Sequence, residues 1–127
     1  MRSRILFVSG HPDDARRLSR MLHTLSITVD HVETLQQARA KLQQEDYSVL
    51  LTEATLPDGN WPDALHLARQ QELEVIVTDP QADSRFWSEA LNLGAYDVLA
   101  QPFYEPEVRR ILNNACSRAG LCAMAAV

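Results

Sequence analysis

The chain has 127 residues, with 12 Lys+Arg against 17 Asp+Glu and a formal net charge of -5. That length suits one domain around one hydrophobic core and leaves no room for a second functional domain. The acidic balance repels phosphate backbones, no basic stripe with interleaved aromatics occurs, and no apolar run approaches the roughly 20 residues a bilayer span needs. Direct nucleic-acid binding and a membrane role are set aside, and a cytoplasmic location is expected.

In chain order, a first apolar run, RILFV (4–8), reads as a strand and breaks at Gly10 into His11, Pro12, Asp13 and Asp14. Pro12 suits a first helical turn, where no amide hydrogen is needed, and Ala15, Leu18, Leu22 and Leu25 form an inward stripe. Arg16, Arg17 and Arg20 fall on the solvent side of that helix. ITVDHV (27–32) is the second strand. Thr34 is placed to cap a second helix whose Leu35, Ala38 and Leu42 face inward. YSVLLT (47–52) is the third strand; LPDGNWP follows, then a third helix with Leu65 and Ala68 inside. Trp61 and Pro62 make this loop bulky and stiff, with Trp61 packing on the third helix or covering the strand ends. After the fourth strand, EVIVT (74–78), a fourth helix carries Phe86, Ala90 and Leu93 inward and stops at Gly94. Trp87 and Leu91, one turn apart, lie beside that stripe, as partly buried edge residues or as part of a protein interface. YDVLA (96–100) is the fifth strand, and Val108, Ile111, Leu112 and Ala115 mark a fifth helix before the small-residue tail AGLCAMAAV. Cys116 and Cys122 form no CxxC pair and have no histidine nearby, so neither a redox motif nor a zinc knuckle is expected.

Strict alternation of short β-rich runs with helical segments predicts a doubly wound α/β fold: five parallel strands with helices on both faces. Ligands in such folds sit beyond the carboxyl ends of the strands. Those ends collect Ser9, Gly10 and His11; Glu53; Thr78 and Asp79; and Gln101 before Pro102. Their spacing, together with VLLTEATLPDG (49–59), VIVTD (75–79) and LGAYDVLAQPF (93–103), resembles the receiver domain of bacterial two-component response regulators. The resemblance covers residues 4 to about 118, so the whole of 1–127 reads as one receiver-like domain with a short C-terminal tail. It implies the flavodoxin-like (CheY-like) strand order 2-1-3-4-5.

Working receivers carry two acidic residues after strand one, a phosphoryl-accepting Asp after strand three, a Ser or Thr after strand four and a Lys before the proline after strand five. Carried onto this chain, the acidic pair falls on Ser9 and Gly10, the acceptor on Glu53 and the lysine on Gln101, while Thr78 alone matches. Pro57, Gly59, Gly94, Ala95, Pro102 and Phe103 match too, but they shape loops and packing. Three carboxylates and a lysine sum to about -2, whereas Glu53 with Gln101 leaves about -1, so the losses are mutually consistent. The expectation is a non-enzymatic protein-interaction module, a degenerate receiver with Glu53 at the acceptor position and a vestigial pocket of Ser9, Gly10, His11, Thr78 and Gln101. Mg²⁺ binding should be weak or absent, with no cofactor. Glu53 is either a fixed mimic of an acyl phosphate's charge or an inconsequential loop carboxylate.

The resemblance further implies contact with a protein partner, or with a second copy as a homodimer, through the fourth helix, fifth strand and fifth helix. Trp87, Leu91 and Val98 are the candidate surface, with Val98 at the position where receivers often carry a switching aromatic. The alternative within the fold is phosphorylation on Glu53 or on a displaced acid such as Asp58 or Asp79. The alternative from another class comes from HPDD, which resembles the metal-ligand turn of zinc-dependent N-deacetylases. There His11 and Asp14 would hold metal and Asp13 would act as base, but the continuation ARRLSRML is helical and no downstream histidine completes the set.

Overall fold

The structure, a computed structural model, describes residues 3–81 and 83–125, with side chains in the last helix described to residue 117. The side chain of Cys122 and the final tail lie outside that range. Strand β1 (Ser3–Val8) leads into α1 (Pro12–Leu22), a single 3-10 turn (His23–Leu25) and β2 (Ile27–Val32). Then come α2 (Leu35–Gln44), β3 (Val49–Glu53), a hairpin of β4 (Thr55–Leu56) and β5 (Gly59–Asn60), and α3 (Trp61–Arg69). The chain continues through β6 (Glu74–Asp79), α4 (Ser84–Asn92), β7 (Asp97–Ala100) and α5 (Glu105–Ala125).

The main sheet is parallel throughout and ordered β2-β1-β3-β6-β7. This is the expected 2-1-3-4-5 order once the small hairpin takes two numbers. Successive side chains on a strand point to opposite faces, so each strand feeds two cores. Ile5, Phe7, Val49, Leu51, Ile76 and Leu99 pack with Leu18, Leu22, Val108, Ile111 and Leu112 of α1 and α5. Leu6, Val8, Leu50, Val75, Val77 and Val98 pack with residues of α2, α3 and α4. Full cover on both faces is what makes the strands read as continuous apolar runs.

Helix boundaries follow local chemistry. Pro12 sits in the first turn of α1, and Thr34 Oγ1 accepts from the Gln37 amide at the start of α2. Asp58 adds a second cap from outside the helix, accepting from the amides of Leu35 and Gln36 at 2.9 and 3.1 Å. Gly94, at φ +109°, ends α4 in a conformation that favours glycine. Leu93 departs from expectation: it falls just past the helix end and is 45% exposed, because the stop turns the chain before Leu93 can reach the core. Trp61 opens α3 and packs edge-on against Phe86 of α4, ring centroids 6.0 Å apart.

β7 is an edge strand, and an open edge is a template for unwanted pairing. Side chains close it at Val98, whose amide donates to Asp97 Oδ1 at 2.8 Å and whose carbonyl accepts from the Trp87 indole at 3.2 Å.

At the opposite end of the sheet from the strand termini, Arg4 Nη2 reaches Asp30 at 2.6 Å and Glu45 at 3.1 Å. The Tyr47 hydroxyl donates to the same two carboxylates at 2.7 and 3.1 Å, and the guanidinium lies 5.2 Å from the Tyr47 ring centre. Burial works to raise the Asp30 pKa, but hydrogen bonds from Tyr47 and Arg4 outweigh it and hold the carboxyl below its ordinary range. The Tyr47 bond does the same for Glu45. Burial and the two carboxylates push the Tyr47 phenol up, so it stays a donor. Depressed folded-state carboxyl values mean stability that is present above the unfolded values near about 4 and is lost as pH falls through the folded ones. Tyr47→Phe is therefore expected to cost about 1–2 kcal/mol at pH 7. The difference should shrink below pH about 4. Urea unfolding of both proteins at pH 7 and pH 3 checks it, and an equal cost at both would refute the coupling.

Candidate functional site

The carboxyl ends of β1, β3, β6 and β7 converge on one edge of the sheet. β3 is buried along its whole length, and its last residue, Glu53, is only 6% exposed. A buried carboxylate needs donors. The Gly10 amide donates to Glu53 Oε1 at 2.9 Å, and His11 Nδ1 lies 3.1 and 3.0 Å from Oε1 and Oε2. Two carboxylate oxygens can only accept, so His11 carries its proton on Nδ1 in this contact. Among the described residues, His11 is the only ion-pair partner of Glu53.

Ser9 is fully buried and spends its hydroxyl on the His11 amide at 2.9 Å, which fixes the turn. From the neighbouring strand, His31 Nε2 lies 2.7 Å from the Ser9 carbonyl and ties β2 to the end of β1. On the far side of Glu53, the Thr78 hydroxyl donates to the Leu99 carbonyl at 2.7 Å and accepts from Gln101 Nε2 at 3.2 Å. Gln101 precedes Pro102 through a cis peptide bond.

All six predicted pocket positions thus lie at this edge, joined in two groups: Ser9, Gly10 and His11 around Glu53, and Gln101 around Thr78. His11 and Glu53, 42 positions apart, form a pair that no local spacing announces; only their shared place at strand ends could have pointed to it. His31, downstream of the HPDD turn, takes a backbone carbonyl as its partner and no place beside His11 and Asp14.

Asp58 and Asp79, the displaced acids, are engaged in shaping loops. Asp58 caps α2, and those amides hold its carboxyl below the usual range, while Asp79 accepts from the Gln81 amide at 3.1 Å. Asp13 and Asp14 occupy the first turn of α1 and pair with Arg16 and Arg17 at 3.4 and 3.5 Å. His11, Asp14 and Glu53 bring potential metal-ligand atoms within 4.8 Å of one another, whereas His23, His31 and His66 take no part in that cluster. A hard Mg²⁺ ion prefers an octahedron of oxygens. The two positions where a receiver would supply its acidic pair hold a hydroxyl already in use and a hydrogen atom, so the donor set does not fit that ion.

Trp87 and Leu91 are 44% and 47% exposed on α4, as a contact surface requires. Val98 is not part of that surface. It is 1% exposed, because its side chain points into the core under α4.

The model of the response regulator receiver domain matches residues 5–113. The chain is 25% identical over 118 residues to the response regulator protein PilR of Pseudomonas aeruginosa, covering 90% of this chain and 26% of PilR, so it spans about a quarter of that relative's length. The signal receiver domain of a putative Luxo repressor protein from Vibrio parahaemolyticus superposes with a TM-score of 0.89 at 20% identity, covering 98% of each chain. The beryllofluoride-activated NtrC4 receiver domain dimer gives a TM-score of 0.83 at 22% identity, over 91% of this chain and 98% of that one. These matches run through the HPDD turn and leave the hydrolase alternative without support.

The Thr78 hydroxyl is fully buried and bonded on both sides. Thr78→Val should therefore cost about 1–3 kcal/mol by stranding its partners, while Thr78→Ser should retain most of the stability. Urea midpoints at constant slope measure both. A Thr78→Val variant as stable as wild type would show that the hydroxyl is not held there.

Proposed function

The chain belongs to the response regulator receiver family, and on that premise we propose that it is a protein-interaction module of two-component signalling whose acceptor site does not take phosphate. The observation that carries this reading is the closure of Glu53. Its carboxylate is bound by the Gly10 amide and the His11 imidazole, in a pocket where Gln101 supplies no positive charge. Phosphoryl transfer depends on cations to neutralise charge on the moving group, and this pocket offers one imidazole where the resemblance expects a metal and a lysine. Mg²⁺ should bind weakly or not at all, and the domain is a binding module, not an enzyme. No helix among the described residues is long and apolar enough to cross a membrane, in keeping with a cytoplasmic role.

Output would then depend on a fixed conformation and a protein surface. Thr78 is held by Leu99 and Gln101, and the position of the switching aromatic is a buried Val98 covered by α4. α4 presents Trp87 and Leu91, and the segment before α5 presents Tyr104, 65% exposed. The NtrC4 relative is described as a dimer. A second copy or a protein partner docking on α4, β7 and α5 is the interaction we assign to this chain, as one receiver-like unit.

Incubation with acetyl phosphate and Mg²⁺ should leave the intact mass unchanged. An adduct of one phosphoryl group that disappears in Glu53→Gln would reverse the reading. Because such groups act as a unit, restoring Gln101→Lys alone should not create an acceptor.

The surface has its own test. If α4 is the interface, Trp87→Ala should weaken association by about 2 kcal/mol or more, the scale of a buried aromatic anchor. Trp87 also caps Val98, so Leu91→Lys, which disturbs no cap, serves as the second variant. Sedimentation of wild type and both variants at matched concentration decides it: association unchanged in both would remove α4 from the interface.

A further inference from the structure

We propose that a second copy of this chain pairs with β2 edge to edge, antiparallel about Val29, so that two sheets become one. β2 is the other end strand of the sheet, with β1 as its neighbour on one side and no strand on the other. An unpaired strand edge is a template for a further strand unless something blunts it. The Ser3 and Ser9 amides donate to the carbonyls of Ser26 and Val32 at 3.1 and 3.0 Å, which fixes the phase of the β1–β2 ladder. Even-numbered residues of β2 therefore turn their backbone groups to β1, and Ile27, Val29 and His31 turn theirs outward. Among the described residues no side chain or loop bonds these outward groups, whereas the next outward amide, that of Glu33, donates to Gln37 Oε1 at 2.8 Å.

The devices that commonly protect an edge are missing from ITVDHV (27–32): it has no proline and no lysine, and its pairing with β1 runs without a bulge. Its one carboxylate, Asp30, is no guard, because Arg4 and the Tyr47 hydroxyl meet it from within the chain at 2.6 and 2.7 Å. Both bonds end on Oδ2, and Oδ1 takes none among the described residues.

The occupant follows from the strand's own sequence. Centred on Val29, an antiparallel pair sets Ile27 opposite His31 of the partner subunit, Thr28 opposite the partner's Asp30 and Val29 opposite the partner's Val29. Each odd-numbered pair exchanges both N–H···O bonds, so every outward group of these residues is used. No like charges meet. On one face two β-branched valines touch, and on the other the Thr28 hydroxyl can donate to the free Oδ1 of the partner's Asp30, a cross-strand contact that adds to the pairing. A centre at Asp30 would oppose two carboxylates, and one at His31 would oppose two imidazoles and require the Glu33 amide that Gln37 holds. A twofold contact of this kind closes on itself, as the dimers commonest among soluble proteins do. It lies at the opposite edge of the sheet from α4 and β7, does not rest on the signalling reading, and leaves the α4 face of both copies free.

Amide hydrogen exchange followed by NMR across a concentration series of the whole chain, beside sedimentation, provides the test. As the dimer fills, the amides of Ile27, Val29 and His31 should slow by about tenfold or more, while those of Thr28, Asp30 and Val32, already bonded to β1, change little. Contact through α4 produces no such alternation. Val29→Pro removes an amide that bonds nothing within the chain and should weaken association by about tenfold or more, since both hydrogen bonds of the central pair are lost. Thr28→Glu, which sets a carboxylate opposite the partner's Asp30, should weaken it too, and Thr28→Ser should not. Leu91→Lys, the variant that probes α4, should keep the alternating protection of wild type, so failure of either reading is seen separately. An unchanged circular dichroism spectrum shows each variant folded, and if Val29→Pro does not fold, Thr28→Glu decides. The proposal is overturned if the chain stays monomeric at the millimolar concentrations of the NMR series. It is equally overturned if dimers form while Ile27, Val29 and His31 exchange as fast as in the monomer, or if Val29→Pro and Thr28→Glu associate as tightly as wild type.

Discussion

Burial of β3 on both faces governs the rest of the molecule. The central strand of a parallel sheet is covered by helices above and below, so Val49, Leu50, Leu51 and Thr52 are fully buried and Glu53 is carried with them to the strand's end. An ionised carboxylate at such a place is costly unless donors meet it. The donors come from the adjacent β1, whose chain must turn at Gly10 to enter α1 and so points an amide and then an imidazole at Glu53. The pocket is therefore a consequence of strand order, since only β1 and β6 flank β3.

The same edge is coherent in charge. A site with an acidic pair, an acceptor and a lysine balances like charges against a cation. Removing the pair without the lysine would leave an amine with too little negative charge nearby, and removing the lysine alone would leave carboxylates in mutual repulsion. Here Ser9 turns to backbone support, Gly10 contributes only an amide, and Gln101 supplies a neutral donor to Thr78. Each of these residues satisfies a local hydrogen-bonding need, and together with the His11–Glu53 pair they make a pocket of fixed bonds.

The sheet was legible in the sequence because full burial leaves nearly uninterrupted apolar runs between turn residues. The second strand matches its predicted limits of 27–32, and the others differ by one or two residues at their ends. Thr34 and Gly94 were readable as helix punctuation because their effects are local. The hairpin of Thr55–Leu56 and Gly59–Asn60 was not, since two-residue strands carry no period. Leu93 and Val98 show where pattern misleads. Leu93 continues the inward spacing of α4 but falls past its end, and Val98 was grouped with a surface although strand alternation directs it into the α4 core. At the site, the positions could be collected from strand ends, but the pairing of His11 with Glu53 depends on how a turn closes across 42 residues.

The edge at β7 constrains how this molecule can meet another. A parallel sheet ends in a strand whose outward amides and carbonyls invite a further strand, yet at Val98 both groups are taken, by Asp97 and by the Trp87 indole. Backbone augmentation at Val98 would have to break both bonds. Contact by side chains costs neither, because Trp87 can keep its indole bond while its 44% exposed ring and neighbouring Leu91 are covered. The indole therefore serves two ends: its nitrogen seals the edge, and its ring offers apolar area held in one orientation. An anchor already fixed in this way loses less conformational entropy when a partner covers it. The closed sheet edge at Val98 thus makes side-chain contact the less costly way for another molecule to meet this side of the sheet.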